Sequence, residues 1–190
     1  MRKLLICVPM MTLLLTACAG GMREEEKLAL AIRGEYLAAE GVTASAGITA
    51  DYGRRVCTYQ MEVESAGEEM RLTVTAPDEI AGVTARITGK DSRLEFEDLS
   101  VDTGPLDPQG LTPVSAIPAL LEAARSGYLR ICAFEGDLLR LECGDPEGTP
   151  GTGREIVLWF QRESHALVRG DILWDGTRVL QCLFSSFTLQ

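Results

Sequence analysis

From Val42 onward the apolar residues recur at every second position, and this period limits what the chain can become. Val42, Ala44, Ala46, Ile48, Ala50 and Tyr52 alternate with Thr43, Ser45, Gly47, Thr49 and Asp51. Successive side chains of an extended backbone point to opposite faces, so the pattern predicts a strand with one buried and one wet face. Cys57 to Val63, Met70 to Ala76, Val83 to Ile87 and a run through Leu94 and Phe96 repeat it, separated by turn residues. Five short strands of this kind predict an antiparallel meander. Five more follow later: Tyr128 to Phe134, Leu138 to Cys143, Glu155 to Gln161, Leu167 to Trp174 and Arg178 to Leu189. Asp175-Gly176 is a strong two-residue hairpin signal between the last two. The stretch Gly144 to Gly153 holds four glycines and two prolines and reads as a mobile loop. With no adjacent lysine and no strand-to-helix context, it is not a phosphate cradle.

Two segments carry the helical period instead. Met22 to Glu40 places Leu28, Ile32 and Tyr36, with Ala31 and Ala39, on one stripe. Glu24, Glu25 and Glu26 suit the positive end of its dipole, and Gly41 reads as its stop. In the middle of the chain Thr112 caps a second helix and Pro113 opens it. Val114, Ile117, Leu120, Leu121 and Ala124 form its apolar stripe, Pro118 threatens a kink, and Gly127 ends it. About ten antiparallel strands must curl or close to bury one face. The expected fold is therefore mainly β (α+β): a strongly curved antiparallel sheet or open barrel, with two main helices over the concave side.

The chain has 190 residues, 46% hydrophobic and 24% charged, which suits one domain that hides roughly 70% of its unfolded surface. Its formal net charge is −10, from 18 basic and 28 acidic residues. Such a surface repels phosphate backbones and argues against nucleic acid. There is one histidine, His165, which lies in a turn between strands, and no Cys-x-x-Cys spacing. No metal site, cofactor motif or nucleophile–base constellation is legible, and the expectation is a non-enzymatic binding module.

The N-terminus begins Met1-Arg2-Lys3, continues with an apolar stretch from Leu4 to Leu15, and reaches Leu15-Thr16-Ala17-Cys18. The layout is that of a secretory signal, and twelve helical residues rise only about 18 Å, short of a bilayer core of roughly 30 Å. Leu15-Thr16-Ala17-Cys18 resembles the lipobox of bacterial lipoproteins. That resemblance implies a diacylglycerol-modified Cys18 and cleavage before it, with residues 1–17 as signal peptide, 18–21 as lipidated tether and 22–190 as a single domain. The mature protein is then held on the extracytoplasmic face of a bacterial membrane, since two or more acyl chains anchor stably.

The order of elements, with local phrases, resembles the LolA/LolB-like superfamily. The phrases are Leu72-Thr73-Val74-Thr75-Ala76-Pro77 running into Ile80-Ala81-Gly82, then Val157-Leu158-Trp159-Phe160, then Ala166-Leu167-Val168-Arg169-Gly170, then Phe184-Ser185-Ser186-Phe187. The resemblance implies an apolar concavity that takes acyl chains and lipoproteins. A clostridial branch, germination lipoproteins that activate a cell-wall amidase by protein contact, is similar in style. Two functions follow as expectations: docking an envelope protein partner, or carrying an acyl chain. An envelope hydrolase is a third, without a constellation to support it.

Tyr59, Met61, Leu72, Val74 and Trp159 are the residues expected to face the concavity, either lining a lipid pocket or packing a core. Thr58, Gln60, Glu62, Arg71, Thr73 and Thr75 are expected on the convex face. Cys57, Cys132, Cys143 and Cys182 remain in the mature chain. Export permits disulfides, with Cys132 and Cys143 flanking the Gly136-Asp137 turn, but each also suits a buried free thiol.

Overall fold

A computed structural model describes residues 21–190; the stretch expected to be a signal peptide, Cys18 and most of the expected tether lie outside the described residues. Helix α1 (Glu24–Ala38) is followed by strands β1 (Gly41–Asp51), β2 (Val56–Ala66), β3 (Glu69–Ala76), β4 (Thr84–Thr88), β5 (Asp91–Phe96) and β6 (Leu99–Pro105). Helix α2 (Pro113–Ser126) comes next, then β7 (Leu129–Glu135), β8 (Leu138–Cys143), β9 (Arg154–Gln161), β10 (Leu167–Trp174) and β11 (Thr177–Leu189). All eleven strands join one antiparallel sheet in the order β6-β5-β4-β3-β2-β1-β11-β10-β9-β8-β7. The outermost strands β6 and β7 do not pair, so the sheet stays open. The first and last strands are joined in its centre, where the β1–β11 ladder runs from Val42↔Leu189 to Ala50↔Leu180.

The fold is the expected one with an eleventh strand, β6, that the period does not reveal. Helix α1 is shorter than Met22 to Glu40, because Glu26 accepts from the Arg23 amide at 3.1 Å and fixes its start. Its buried positions are Ala29, Ile32 and Tyr36, while Ala31 is exposed. Gly41 does not stop the helix; it opens β1, where a side chain would collide with the Ser65 carbonyl. Helix α2 runs unbroken through Pro118, capped by Thr112, whose hydroxyl accepts from the Ser115 amide at 3.2 Å. The Asp175-Gly176 turn has both residues at positive φ, 48° and 72°, which matches the strand twist of a type I′ hairpin. Among the described residues no helix is long and apolar enough to cross a membrane.

The core lies between the inner face of the sheet and the two helices. Ala44, Ala46, Ile48 and Ala50 form its floor along β1, and Ile32, Tyr36, Ile117, Leu120 and Leu121 descend from above. The small residues on β1 matter, because they let α2 approach the sheet. Gly170 on β10 serves the same end: a Cβ there would overlap the methyl groups of Leu120.

Candidate functional site

Strand registers place Tyr59, Met61, Leu72 and Val74 on the inner face. Ile48 pairs with Tyr59, Ala46 with Met61, Met61 with Val74, and Val63 with Leu72. Directly opposed residues share a face, so all four follow the buried alternation of β1. Met61, Leu72 and Val74 are packed within the core and Tyr59 is half-buried against it.

Trp159 is on the other side. Ile156, Leu158 and Phe160 occupy the inner face of β9, which leaves Val157 and Trp159 on the convex face. There Trp159 Nε1 donates to Glu135 Oε2 at 2.8 Å, and the guanidinium of Arg169 lies 4.3 Å from the ring centroid. The expectation that Trp159 faces the concavity is corrected: its near-complete burial comes from arginine stems and cross-strand neighbours, not from the core. Beside it Arg169 grips Asp171 at both carboxylate oxygens, Oδ1 at 2.9 Å and Oδ2 at 2.5 Å, and Arg178 adds a contact at 3.5 Å. Stacked and ion-paired while still partly exposed, these arginines give the convex face a polar patch.

A cleft of about 1620 Å³ opens between α2 and one end of the sheet. Its walls are the β2–β3 and β4–β5 turns on one side and the Gly144 to Gly153 loop on the other. Met70, Ile87, Leu106, Ala119 and Ile156 supply apolar surface, and Glu68, Lys90, Glu122 and Arg154 line it with charge. None of Tyr59, Met61, Leu72, Val74 and Trp159 reaches it. The cleft is therefore bounded by turns, by α2 and by one end of the sheet's inner face, where Met70, Ile87, Cys143 and Ile156 reach it.

The Gly144 to Gly153 wall is tied down, contrary to its reading as a mobile loop. Arg130 Nη2 donates to the carbonyls of Asp145 at 2.7 Å and Gly148 at 3.1 Å, while its Nη1 meets Glu155 Oε1 at 2.6 Å. Glu155 in turn accepts from the Gly151 amide at 2.9 Å, and Asp175 accepts from Gly153 at 2.8 Å. Sequence reasoning misses Arg130; on a short strand it carries no motif, and its role emerges only when the loop folds back over it.

His165 clips the β9–β10 turn to α1. Its Nδ1 lies 2.8 Å from Glu35 Oε2, and the Tyr36 hydroxyl donates to its carbonyl at 3.1 Å. Among the described residues, no three His, Cys, Asp or Glu side chains gather where they would hold a metal. Cys57, Cys132, Cys143 and Cys182 are free thiols. Burial pushes Cys182 up to about 12 and Cys143 up to about 11, and raises Cys132 as well, so these sulfurs are poor nucleophiles at neutral pH.

No family model matches the sequence, and no curated protein matches it. Solved structures do match. An uncharacterized conserved protein from Thermus thermophilus superposes with a TM-score of 0.51 at 11% identity over 86% of each chain. A DUF1329 family protein from Desulfovibrio piger gives 0.50 at 12% identity, over 86% of this chain and 91% of that one. A LolA superfamily protein from Nitrosomonas europaea gives 0.42 at 12% identity, over 85% and 93%. Identities this low concern the fold alone, which in this chain is an open antiparallel sheet with one helix before its first strand and one between β6 and β7.

Proposed function

We propose that this protein is a membrane-anchored, extracytoplasmic lipoprotein that acts as a non-catalytic binding module and docks an envelope protein partner. The observation that carries the reading is the seat of α2. Leu120 rests directly against Gly170, and Ile117, Leu121 and Phe160 fill the space between helix and sheet. A carrier of acyl chains needs a dry, roomy space there, and packed side chains occupy it instead. What remains open is a wide cleft of mixed polarity, a surface that suits a protein segment better than a hydrocarbon chain.

The cleft is nonetheless large, and Met70, Ile87 and Leu106 give it an apolar stretch, so acyl-chain carriage is the second reading. A fluorescent fatty acid titrated into the protein separates the two. Protein docking predicts no saturable uptake at micromolar concentration. Saturable uptake that Met70→Trp, a change in the cleft wall, abolishes with the fold intact by circular dichroism overturns it in favour of the carrier. Anchoring is tested separately: Cys18→Ala is expected to abolish incorporation of labelled fatty acid, and unchanged labelling overturns that part of the proposal.

A further inference from the structure

The two edges of the sheet are treated differently. Helix α1 packs along β7 and β8 and shields that edge, whereas no helix packs on β6. Six of the seven residues of β6 are exposed, among them Leu99 at 70% and Val101 at 61%. These two side chains are on the inner face. The cross-strand row Val63–Leu72–Ala85–Leu94–Val101 is apolar throughout, buried over its first three members, half-buried at Leu94 and bare at Val101. Phe96 and Leu99, paired across the next turn, extend this exposed apolar edge. An apolar row that runs out of a core and stops at an unpaired backbone is incomplete by one strand.

Edge protection covers only part of β6. Pro105, Gly104 and the register shift at Ser92/Arg93 break the ladder at its end, leaving Leu99 to Asp102 regular. Charge then selects among possible occupants. Glu95, Glu97, Asp98 and Asp102 surround this stretch; Arg86 meets Glu95 at 3.3 Å and Arg93 meets Asp102 at 2.6 Å, so two cations stand against four acids and Glu97 and Asp98 are left to set the sign. A second copy of the chain would bring the same acids edge to edge and be repelled.

We propose that the exposed edge of β6 from Leu99 to Asp102 receives an extended segment of a protein partner as a twelfth strand. The segment alternates apolar residues, which continue the apolar edge at Leu99 and Val101, with lysine or arginine facing the acids of the β5–β6 hairpin. This rests on the protein-partner reading above and gives that partner a site and a chemistry.

The test uses the full-length protein in detergent and three synthetic octapeptides: alternating valine and lysine, alternating valine and glutamate, and a valine–lysine peptide interrupted by proline. Amide hydrogen exchange locates binding. The basic alternating peptide is expected to bind saturably and to slow exchange at Leu99 to Asp102. The double variant Leu99→Lys/Val101→Lys, with exchange in β1 to β4 unchanged, is expected to weaken binding by about tenfold or more. Equal binding by the acidic or the proline peptide overturns the proposal, as does the absence of binding. Protection of β6 by a concentration-dependent dimer assigns the edge to a second copy and overturns it too. Protection confined to the cleft beside α2 overturns the β6 site while leaving the protein-partner reading standing.

Discussion

Arg33 of α1 and Arg125 of α2 each close the other's helix. Arg33 Nη2 donates to the Gly127 carbonyl just past the end of α2 at 2.6 Å, and Arg125 Nε donates to the Tyr36 carbonyl in the last turn of α1 at 3.0 Å. Final carbonyls of a helix lack partners within it, and a cation near them also meets the negative end of the dipole. The two helices are thus latched as a pair. Arg33→Met and Arg125→Met are each expected to lower stability by about 1–2 kcal/mol in urea unfolding, a charged hydrogen bond's worth. Because both serve one helix pair, the double variant is expected to depart from additivity by roughly 0.5 kcal/mol or more. Strict additivity would show that the latches act independently.

The contact between Leu120 and Gly170 makes a sharper prediction, since it seats α2 on the sheet. Gly170→Ala places a methyl group into Leu120 and is expected to cost about 1–3 kcal/mol through overpacking. Leu120→Ala leaves a cavity and is expected to cost about 2–5 kcal/mol. Combined, the added methyl fills part of the vacated space, and the pair is expected to lose less than the sum. A double variant as unstable as the sum would mean that α2 does not rest there.

The strand period is readable wherever one face is buried and the other wet, as on β1 and β2, and it fails at both extremes. Strand β9 is buried from Ile156 through Phe160 on both faces, so alternation vanishes and the side taken by Trp159 cannot be read from spacing. Only its pairing with Arg169 and Arg140 reveals the convex position. Strand β6 fails in the opposite way. Leu-Ser-Val-Asp-Thr-Gly-Pro is short, polar and exposed, and reads as a loop until β5 pairs with it. On α1 the stripe is right in period, but Ala29 takes the buried place expected for Ala31, because the direction of approach to α2 and β7 decides between alanines. The hold of Arg130 on a distant loop depends on chain return, which no local pattern encodes.

That hold is testable. The Arg130 and Glu155 side chains are 14% and 19% exposed, so their pairing is only modestly screened by water. Arg130→Met is expected to release the Gly144 to Gly153 loop from both carbonyl contacts, destabilising the protein by about 1–3 kcal/mol. More telling is where the change appears: limited proteolysis is expected to cut within residues 144–153 in the variant and to spare the parent. Equal resistance of the two proteins would mean that Asp175 and Glu155 suffice to hold the loop.

The buried thiols set an alkaline limit. Cys182 and Cys143, whose ordinary value is 9.0, are pushed up to about 12 and about 11 by desolvation in the folded protein. A raised folded value means that the native state keeps a proton the unfolded chain releases. The contribution is therefore complete below pH 9 and is lost as pH climbs from there toward 11–12, at about 1.4 kcal/mol per pH unit for each thiol while it lasts. Tyr36, whose ionisation burial also opposes, adds to the fall above pH 10. Urea unfolding from pH 8 to pH 11 is expected to show a flat midpoint that then declines, and the decline is expected to be shallower in Cys182→Ala even though that variant starts from lower stability. A slope unchanged by the substitution would mean that the Cys182 thiol ionises as readily in the native state as in the unfolded chain.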